Sequence, residues 1–245
     1  MRSFAALQRR LEPHKAYFVL EGKPVLRLNL DENYKGTRVY EKDESFHRQR
    51  KDIINLVWKH FPVMTARHPH QECDDVIGHL ACKYIDEGHN VTVVSSDTDF
   101  LQLANSVSDC SLLKIYNPVR KDYRDLPEYD YVSCKALVGD GADNIVGFKG
   151  IGPKRAQALL GDSTKMVVWL NAEEGRREKF EKNVTLVRFI DLSNEEDMIN
   201  ISRGDWKPDD LRLQFENRDF NSIVSKKGWP NFVSAFECLQ EGTQC

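Results

Sequence analysis

Short apolar runs alternate with amphipathic helical patterns over the first hundred residues, and this alternation constrains the fold more than any other feature. Residues 16–20 and 91–94 are apolar runs typical of buried strands, and residues 63–66 form a third candidate strand. Helical spacing of apolar residues is evident over 43–60 and 74–87. Strands that alternate with helices in this way form parallel sheets flanked by helices. We therefore predict an α/β fold.

The pattern changes beyond residue 105. A small hairpin is predicted over 112–123, followed by helices near 131–138 and 153–160 with a glycine-rich turn between them. Helical periodicity dominates the remainder of the chain. We therefore predict two regions, an α/β core over 1–125 and a mostly helical part over 126–245.

Composition excludes some classes of protein and leaves others open. The net charge of −3 lacks the basic excess common in nucleic-acid-binding domains, although acidic and basic residues are segregated into blocks. Such segregation fits an acidic metal pocket with basic walls, and an ordinary solvated surface explains it as well. The six cysteines form no CxxC pair, so we expect reduced thiols. Without an apolar run of roughly 18 residues or a signal-peptide pattern, we expect a cytoplasmic protein and no membrane span.

The first acidic cluster consists of Glu72, Asp74 and Asp75, at the start of the helix predicted over 74–87. Carboxylates are favoured near a helix N-terminus by the helix dipole, so capping alone explains this cluster. Its functional interpretation depends on the clusters that follow.

The second and third clusters are less easily explained by capping. Asp97 and Asp99 follow the strand predicted over 91–94, at the sheet edge where open α/β folds bind ligands. Capping requires one such residue, and Asp140 and Asp143 add a further pair. Several carboxylates together supply the hard oxygen ligands that Mg²⁺ or Mn²⁺ prefers. Two such ions about 4 Å apart stabilise both the attacking and the leaving oxygen in phosphoryl displacement.

A glycine-rich turn precedes the helix that begins at Pro153. Gly150 and Gly152 leave backbone N–H groups accessible to a phosphate, and Lys154 and Arg155 add positive charge. This arrangement is similar to the helix-hairpin-helix type of non-specific duplex binder. A simple αα corner is the alternative, but such a corner does not require two aspartates just before it.

Together these motifs resemble those of the 5′ nuclease family, which includes flap endonucleases, phage 5′ exonucleases and the 5′ nuclease domain of bacterial DNA polymerases. Residues 72–75 are similar to the family's Glu-Ala-Asp-Asp, residues 96–99 to its Ser-Asp-x-Asp, and residues 139–156 to its helix-three-turn-helix. The resemblance covers residues 10–236. It implies a PIN-like sheet and the activity of a metal-dependent 5′-3′ exonuclease or flap endonuclease in DNA replication or repair.

The resemblance also implies a set of metal ligands. It assigns eight carboxylates to two sites for Mg²⁺ or Mn²⁺: Glu21, Glu72, Asp74, Asp75, Asp97, Asp99, Asp140 and Asp143. Glu72 and Asp74, helped by Asp75, are expected at the first ion, and the later aspartates at the second. Glu21 stands where most members have Asp. A K⁺ ion is a further expectation at the helix-three-turn-helix.

Residues 34–38 resemble the family's Tyr-Lys-x-x-Arg motif at the base of a helical arch. The resemblance implies that Lys35 and Arg38 contact the scissile phosphate as catalytic cations, which suits phosphoryl transfer. Without it, both side chains would be interpreted as solvated surface.

The arch itself is expected over about 34–60. Arg48 and Lys51 are expected to face single-stranded DNA, and Tyr34 to stack on a base. The expected substrate is DNA with 5′ ends or flaps, with RNA–DNA hybrids left open, and the expected protein is a monomer from a bacterium or a phage-infected cell.

The start of the chain departs from the family's pattern. The family begins with a strand that ends in Asp, and this chain begins after it, so we expect either a longer polypeptide or weak activity. The absent strand would normally cover Val19 and Val93. A catalytically impaired DNA-binding homologue is therefore the alternative function. His68, His70 and Cys73 have superficially zinc-like spacing, but they lack a second cysteine pair.

Overall fold

The computed structural model describes residues 1–36 and 43–241, with side chains described as far as residue 239. The α-helices are α1 (Arg2–Leu11), α2 (Val25–Leu30), α3 (Glu44–His60), α4 (Cys73–Asp86), α5 (Tyr131–Val138), α6 (Pro153–Leu160), α7 (Ser163–Asn171), α8 (Arg176–Val187), α9 (Pro208–Glu216), α10 (Asn221–Val224), α11 (Gly228–Val233) and α12 (Cys238–Glu241). The strands are β1 (Tyr17–Val19), β2 (Met64–Arg67), β3 (Val91–Val94), β4 (Leu113–Asn117), β5 (Asp122–Tyr123), β6 (Gly139–Asp140), β7 (Ile145–Val146) and β8 (Asn200–Arg203).

The chain divides into two compact units, each built from separate stretches of sequence. Unit 1 comprises Met1–Leu20, Glu41–Arg67 and Met198–Cys245, and unit 2 comprises Glu21–Tyr40 and His68–Asp197. These units differ from the two regions that we predict, 1–125 and 126–245. That division into a nuclease core and a DNA-binding part stays a prediction.

Unit 1 combines a small sheet with an aromatic core. Strand β1 pairs with β2 in parallel, and β2 pairs with β8 in antiparallel register. Phe61, at the end of α3, is fully buried, and its ring centroid lies 5.2 Å from that of Phe236 and 6.1 Å from that of Phe232. Edge-to-face aromatic pairs of this kind stabilise a core beyond the area they bury. The C-terminal helices thus share one core with α1 and α3.

Unit 2 contains the second sheet, in which β3 pairs with β4 in parallel and β4 with β5 in antiparallel register. Helix α4 packs its buried face, including Ala81 and Ile85, against Val93 of β3. Directly after β3 the chain turns into a short 3-10 helix, Asp99–Asn105, whose Phe100 and Leu103 enter the same core. Packing of these apolar side chains therefore holds Asp99 at the end of β3.

A tight hairpin connects α5 to the glycine-rich segment. Gly139 has a φ of 88°, and a Cβ there would lie 2.4 Å from the backbone nitrogen of Gly147, so both the conformation and the close approach require glycine. The side-chain amide of Asn183 on α8 donates to the carbonyls of Ala136, at 2.9 Å, and of Val146, at 3.0 Å. The loop between β6 and β7 is therefore tied at both ends to helices.

The α/β class is confirmed, and β1–β2 and β3–β4 pair in parallel as predicted. Each of the two three-stranded sheets also contains an antiparallel edge strand, so among the described strands these sheets are mixed and not purely parallel, and β6 and β7 form a separate antiparallel pair. Helix α6 and strand β3 have the predicted bounds, and α3 and α4 lie within a residue of theirs. Helix α2 and strand β8 were not predicted, because the six residues of α2 are too few to show a helical period and β8, Asn-Ile-Ser-Arg, is exposed and lacks the apolar run that marks β3.

Two properties of the described residues bear on setting and redox chemistry. None of the helices in residues 1–36 and 43–241 combines the length and the apolar character that crossing a bilayer demands. The described cysteines, at positions 73, 82, 110, 134 and 238, are free thiols.

Candidate metal centre

A pocket in unit 2 collects charged side chains from several separate segments of the chain. The charged and polar residues that line it are Arg27, Tyr34, Lys35, Glu72, Asp74, Asp99, Lys135, Asp140 and Asp143. Five of the eight carboxylates predicted as metal ligands are in this set. Residues more than a hundred positions apart in the chain therefore meet in one pocket.

Glu72 is buried at the N-terminus of α4, with 3% of its surface exposed. It is the N-cap residue, and its backbone N–H and the carboxylate of Asp75 complete a capping box. One carboxylate oxygen, Oε2, accepts hydrogen bonds from Arg27 at 2.8 Å and from the hydroxyl of Tyr34 at 3.0 Å. The other, Oε1, forms an ion pair with Lys35. Donors from three side chains therefore hold the Glu72 carboxylate in one orientation.

Asp75 lies behind the pocket and is fully buried. Its two oxygens accept a bidentate pair of bonds from Arg27, at 2.6 and 2.7 Å. Oδ1 also accepts from the backbone N–H of Ile190 at 2.9 Å, and Oδ2 from that of Glu72 at 3.2 Å. These four hydrogen bonds already occupy both oxygens of Asp75. The expected role of Asp75 as a metal ligand stays a prediction.

Arg27 was not identified from the sequence. It is 2% exposed and belongs to the short helix α2, whose segment Val-Leu-Arg-Leu-Asn-Leu carries no other charge. Burial by itself lowers the pKa of Arg27, but the hydrogen bonds that Arg27 donates to Asp75 and the charges of Asp75 and Glu72 raise that pKa above its ordinary value. The sequence signal for Arg27 is a lone charge in a segment where four of six residues are aliphatic.

Three aspartates form a second group of carboxylates in the pocket. Asp99, Asp140 and Asp143 each offer a carboxylate oxygen, and these oxygens lie within 4.8 Å of one another. Lys135, on α5, forms ion pairs with Asp99 and, at 2.7 Å, with Asp140. Five carboxylates and three cations line the pocket as a whole, which leaves an excess of negative charge on hard oxygen donors and fits a divalent cation such as Mg²⁺ or Mn²⁺.

Lys135 sets the electrostatics of this cluster. Burial raises the pKa of Asp99, and the charge of Lys135 opposes that rise without cancelling it. For Asp140, burial also acts to raise the pKa, but the hydrogen bond and charge of Lys135 lower it below its usual range. Burial lowers the pKa of Lys135, whereas Asp99 and Asp140 raise it above the ordinary lysine value. Lys135 is a second residue that sequence patterns missed, because its partners lie on other elements.

Asp74 lines the pocket and interacts electrostatically with two carboxylates outside its lining, Asp97 and Glu21. Burial, followed by the charge of Asp97, raises the pKa of Asp74 to about 6. Asp97 is exposed after β3, and its carboxylate accepts from the backbone N–H of Asp99 at 2.9 Å. Glu21 accepts from the backbone N–H of Cys73 at 3.3 Å, and its charge also acts on Asp74. Glu21 and Asp97 therefore approach the centre from outside the pocket lining.

Tyr34 and Lys35 lie in the lining of the pocket, and Tyr34 is buried there. The ring of Tyr34 is 6% exposed and packs with Val132 and Leu186, while its hydroxyl lies 3.0 Å from Glu72 and 3.2 Å from Asp143. That placement differs from the expected stacking on a base, which stays a prediction. The backbone of Lys35 is left-handed, with a φ of 56°, and its N–H donates to the carbonyl of Asp143 at 3.0 Å.

The remaining arch residues are only partly described. Arg38 lies outside the described residues, as does the rest of 37–42. Helix α3 begins after Asp43, whose side chain accepts from the backbone N–H of Ser45, and Arg48 and Lys51 are exposed on it. Their expected contact with single-stranded DNA stays a prediction.

The glycine-rich turn has the expected local geometry. Gly150 is left-handed, with a φ of 77°, Gly152 caps α6, and Pro153 occupies its first turn. Lys154 and Arg155 are exposed at this N-terminus. Backbone N–H groups and two cations at a helix start are suited to a phosphate.

The zinc alternative receives no support from the described part of the chain. His68 is fully buried, with Nε2 3.3 Å from a carboxylate oxygen of Glu195 and Nδ1 accepting from the backbone N–H of His70. Among residues 1–36 and 43–239, the group of at least three ligand atoms close enough for a metal is the aspartate cluster, without His68, His70 or Cys73.

Comparisons with known proteins identify a family that the chain resembles. The model of the family described as "5′-3′ exonuclease, N-terminal resolvase-like domain" matches residues 1–131, which is more than half of the chain. DNA polymerase I of Bacillus caldotenax is 29% identical over 230 residues, covering 88% of this chain and 26% of that protein. The 5′-3′ exonuclease of Mycoplasma pneumoniae is 31% identical over 146 residues, covering 56% of this chain and 50% of that protein. The chain thus spans about a quarter of the polymerase and half of the exonuclease.

Solved structures show the same fold. The T5 D15 protein co-crystallised with metal ions has a TM-score of 0.61 and 20% identity, covering 99% of this chain and 91% of that one. The bacteriophage T5 D15 flap endonuclease in a pseudo-enzyme-product complex with DNA and metal ions has a TM-score of 0.59 and 21% identity, covering 98% and 88%. At this identity the likeness concerns the fold.

Proposed function

We propose, from the premise that the chain belongs to the family of 5′-3′ exonucleases with a resolvase-like N-terminal domain, that it hydrolyses DNA phosphodiester bonds as a metal-dependent 5′-3′ exonuclease or structure-specific flap endonuclease. The observation that carries this proposal is the meeting of Asp99, Asp140 and Asp143 within 4.8 Å of one another, in a pocket that Glu72 and Lys35 also line. Such a pocket concentrates the carboxylates needed to hold metal ions beside a cation suited to phosphate.

Two Mg²⁺ or Mn²⁺ ions fit the donor set in number and type. Glu72 and Asp74, with Glu21 from the rim, are proposed as ligands on one side of the pocket. On the other side the ligands are Asp97, Asp99, Asp140 and Asp143. Ions of this kind, when bound, lower the pKa of a ligated water and stabilise negative charge on the attacking and the leaving oxygen of the displacement at phosphorus.

The chain's own cations bind and orient the reacting phosphate. Lys35 lines the pocket, and its ion pair with Glu72 holds its ammonium beside a pocket carboxylate. A positive charge there neutralises the transferred group as negative charge develops on it. Arg38, three residues later, is proposed to act with it.

DNA binding is proposed for the helix-three-turn-helix formed by α5, the β6–β7 hairpin and α6. Backbone N–H groups at Gly150 and Gly152, with Lys154 and Arg155, contact phosphates of the duplex, and a K⁺ ion is proposed at the same turn. Contacts of this kind position the protein without reading sequence. This region corresponds to the predicted second part of the chain.

Single-stranded DNA is proposed to contact Arg48 and Lys51 of α3 and, after a local rearrangement, the ring of Tyr34. The substrate is DNA with a 5′ end or flap, RNA–DNA hybrids being a further candidate. The proposed setting is a monomer in the cytoplasm of a bacterium or a phage-infected cell.

Cleavage of labelled 5′-flap, 5′-overhang and blunt duplexes in Mg²⁺ and in EDTA tests the proposal. We expect metal-dependent release of 5′ products, abolished by Asp99→Asn together with Asp143→Asn. Structure-specific binding without cleavage in Mg²⁺ or Mn²⁺ would contradict the nuclease and support the catalytically impaired DNA-binding homologue.

A further inference from the structure

We propose that Arg27 is a positioning residue of the candidate metal centre, holding Glu72 and Asp75 at the N-terminus of α4 so that Glu72 and Asp74 face the pocket. This inference rests on the proposed function, because it concerns ligands of the same ions. It also gives Asp75 the role of anchor for Arg27 in place of a metal ligand.

Every N–H group of the Arg27 guanidinium has an acceptor. Nε donates to the carbonyl of Leu186 at 3.0 Å, and Nη2 to that of Arg188 at 2.9 Å. Nη1 donates to Glu72 at 2.8 Å and to Asp75 at 2.6 Å, while the second hydrogen of Nη2 reaches the other Asp75 oxygen at 2.7 Å. Five donors thus match five acceptors in the fixed planar geometry that distinguishes arginine from lysine.

These bonds join three helices at one point. Arg27 is on α2, its carboxylate partners belong to the start of α4, and its carbonyl partners lie at the end of α8. The end of α8 presents unpaired carbonyls and the negative end of its dipole, which a cation satisfies. Two adjacent buried carboxylates at α4 repel each other unless a cation lies between them. Charge and hydrogen bonding therefore both require a guanidinium here.

The consequence for the pocket follows from which oxygens Arg27 occupies. Arg27 and Tyr34 take the same oxygen of Glu72, and the other oxygen is left on the side of Lys35. Both oxygens of Asp75 are already saturated by Arg27 and by the backbone N–H groups of Ile190 and Glu72. Without Arg27, Glu72 is free to turn, and α4 loses the anchor that aims Asp74. Such partners of metal ligands typically change affinity or activity about 10–100-fold when they are removed.

Gln102 offers a matched control. It is 1% exposed, and its side chain donates to the carbonyl of Val187 at 3.2 Å and accepts from the backbone N–H of Phe189 at 2.8 Å. Like Arg27, it therefore holds the turn after α8, but among the described residues both hydrogen bonds of its side chain go to the backbone of that turn and not to a pocket carboxylate. A Gln102→Met variant separates loss of this turn from loss of carboxylate positioning.

The experiment compares Arg27→Lys and Gln102→Met with wild type. We measure thermal unfolding, Mn²⁺ binding by electron paramagnetic resonance, DNA binding in EDTA, and kcat and KM on a 5′-flap substrate. For Arg27→Lys we expect Mn²⁺ affinity and kcat to fall about 10–100-fold, with KM and DNA affinity in EDTA unchanged. For Gln102→Met we expect a lower Tm, with Mn²⁺ affinity and kcat close to wild type.

Equal Mn²⁺ affinity and kcat in wild type and folded Arg27→Lys would overturn the positioning role. So would equal losses in Gln102→Met, because they would trace the effect to the turn. A wild-type chain that neither binds Mn²⁺ nor cleaves counts against the proposed function instead.

If Arg27→Lys does not fold, Arg27→Met with Asp75→Leu removes both charges of the buried pair, an exchange that often preserves stability. The positioning role predicts a folded double variant with weakened Mn²⁺ binding and kcat. Recovery of both to the wild-type level shows that the pair acts on stability alone and overturns the proposal.

Discussion

Two groups of carboxylates in the acidic pocket differ in the partners that contact them. On the clamp side, formed by Arg27, Glu72 and Asp75, the carboxylates are buried and matched by internal donors. On the cluster side, formed by Asp99, Asp140 and Asp143, Lys135 contacts two of the three aspartates. On the clamp side one guanidinium bonds to both carboxylates, whereas the pocket as a whole, lined by five carboxylates and three cations, keeps an excess of negative charge. We infer that the clamp side provides rigidity and the cluster side provides most of the attraction for cations.

This difference has a thermodynamic reason. Breaking a buried ion pair by removing one partner costs about 3–5 kcal/mol, because an uncompensated charge stays buried. Neutralising one of several crowded carboxylates instead relieves repulsion. The two sides should therefore respond in opposite directions to the same chemical change.

The largest expected effect is on catalysis. Asp97→Asn, Asp99→Asn and Asp143→Asn each remove a charge with little change of shape, and each should lower single-turnover cleavage by orders of magnitude while DNA binding persists. Gel-shift assays in EDTA beside cleavage assays in Mg²⁺ provide the measurement. A variant that cuts at nearly the wild-type rate removes its residue from the centre.

The next effect is on stability, and it separates the two sides directly. Asp75→Asn should lower Tm by roughly 10 °C, since about 3–5 kcal/mol is lost and each kcal/mol corresponds to about 2–4 °C in a chain of this size. Asp99→Asn, measured in EDTA, should change Tm little or raise it. Differential scanning calorimetry decides the matter, and equal decreases in both variants would erase the distinction between clamp and cluster.

Lys135 provides a test of the cluster side alone. Lys135→Met removes the cation between Asp99 and Asp140, so Tm in EDTA should fall by several degrees. Because a bound cation stabilises the folded state by mass action, adding Mg²⁺ should raise the Tm of this variant more than that of wild type. Identical Mg²⁺-induced shifts in both proteins would argue against cation binding at these aspartates.

A smaller effect concerns the turn before α6. Lys154→Ala with Arg155→Ala should weaken binding to all duplex sequences alike, because phosphate contacts carry no sequence information. If both side chains contact phosphates, the slope of log Kobs against log salt should decrease by about 2. Binding titrations at several salt concentrations measure it, and a loss confined to particular sequences contradicts the assignment.

The smallest effect comes from a half-exposed ion pair that serves as reference for the buried clamp. Arg218 donates two hydrogen bonds to Asp52. These hydrogen bonds are the main reason that the pKa of Asp52 lies below its ordinary value. A lowered folded pKa means stability that is present above the unfolded value, near 4, and lost as pH falls through the folded value.

The side chain of Asp52 is 45% exposed, so the contribution is at most about 1 kcal/mol. Thermal unfolding of wild type and Asp52→Asn from pH 3 to 7 should show a gap of a few degrees at neutral pH that closes in acid. A gap that widens in acid contradicts the assigned sign.

Local patterns were sufficient for much of this protein. The run Val91–Val94 has the composition of a buried strand, and Pro153 after two glycines marks a helix start, so β3 and α6 could be placed to the residue. The acidic motifs could be found as well, because each is contiguous in sequence. These features depend on interactions between neighbours in the chain, which composition and period report directly.

Only the tertiary structure decided which charges meet. Arg27 is separated from Asp75 by 48 positions, and Lys135 from Asp99 by 36, so no local period marks either pair. Asp74 and Asp75 are adjacent and chemically identical, yet one lines the pocket and the other is fully buried behind it. Successive side chains on a helix point about 100° apart, so neighbours in sequence face different surroundings. What surrounds each of them is set by elements far away in the chain.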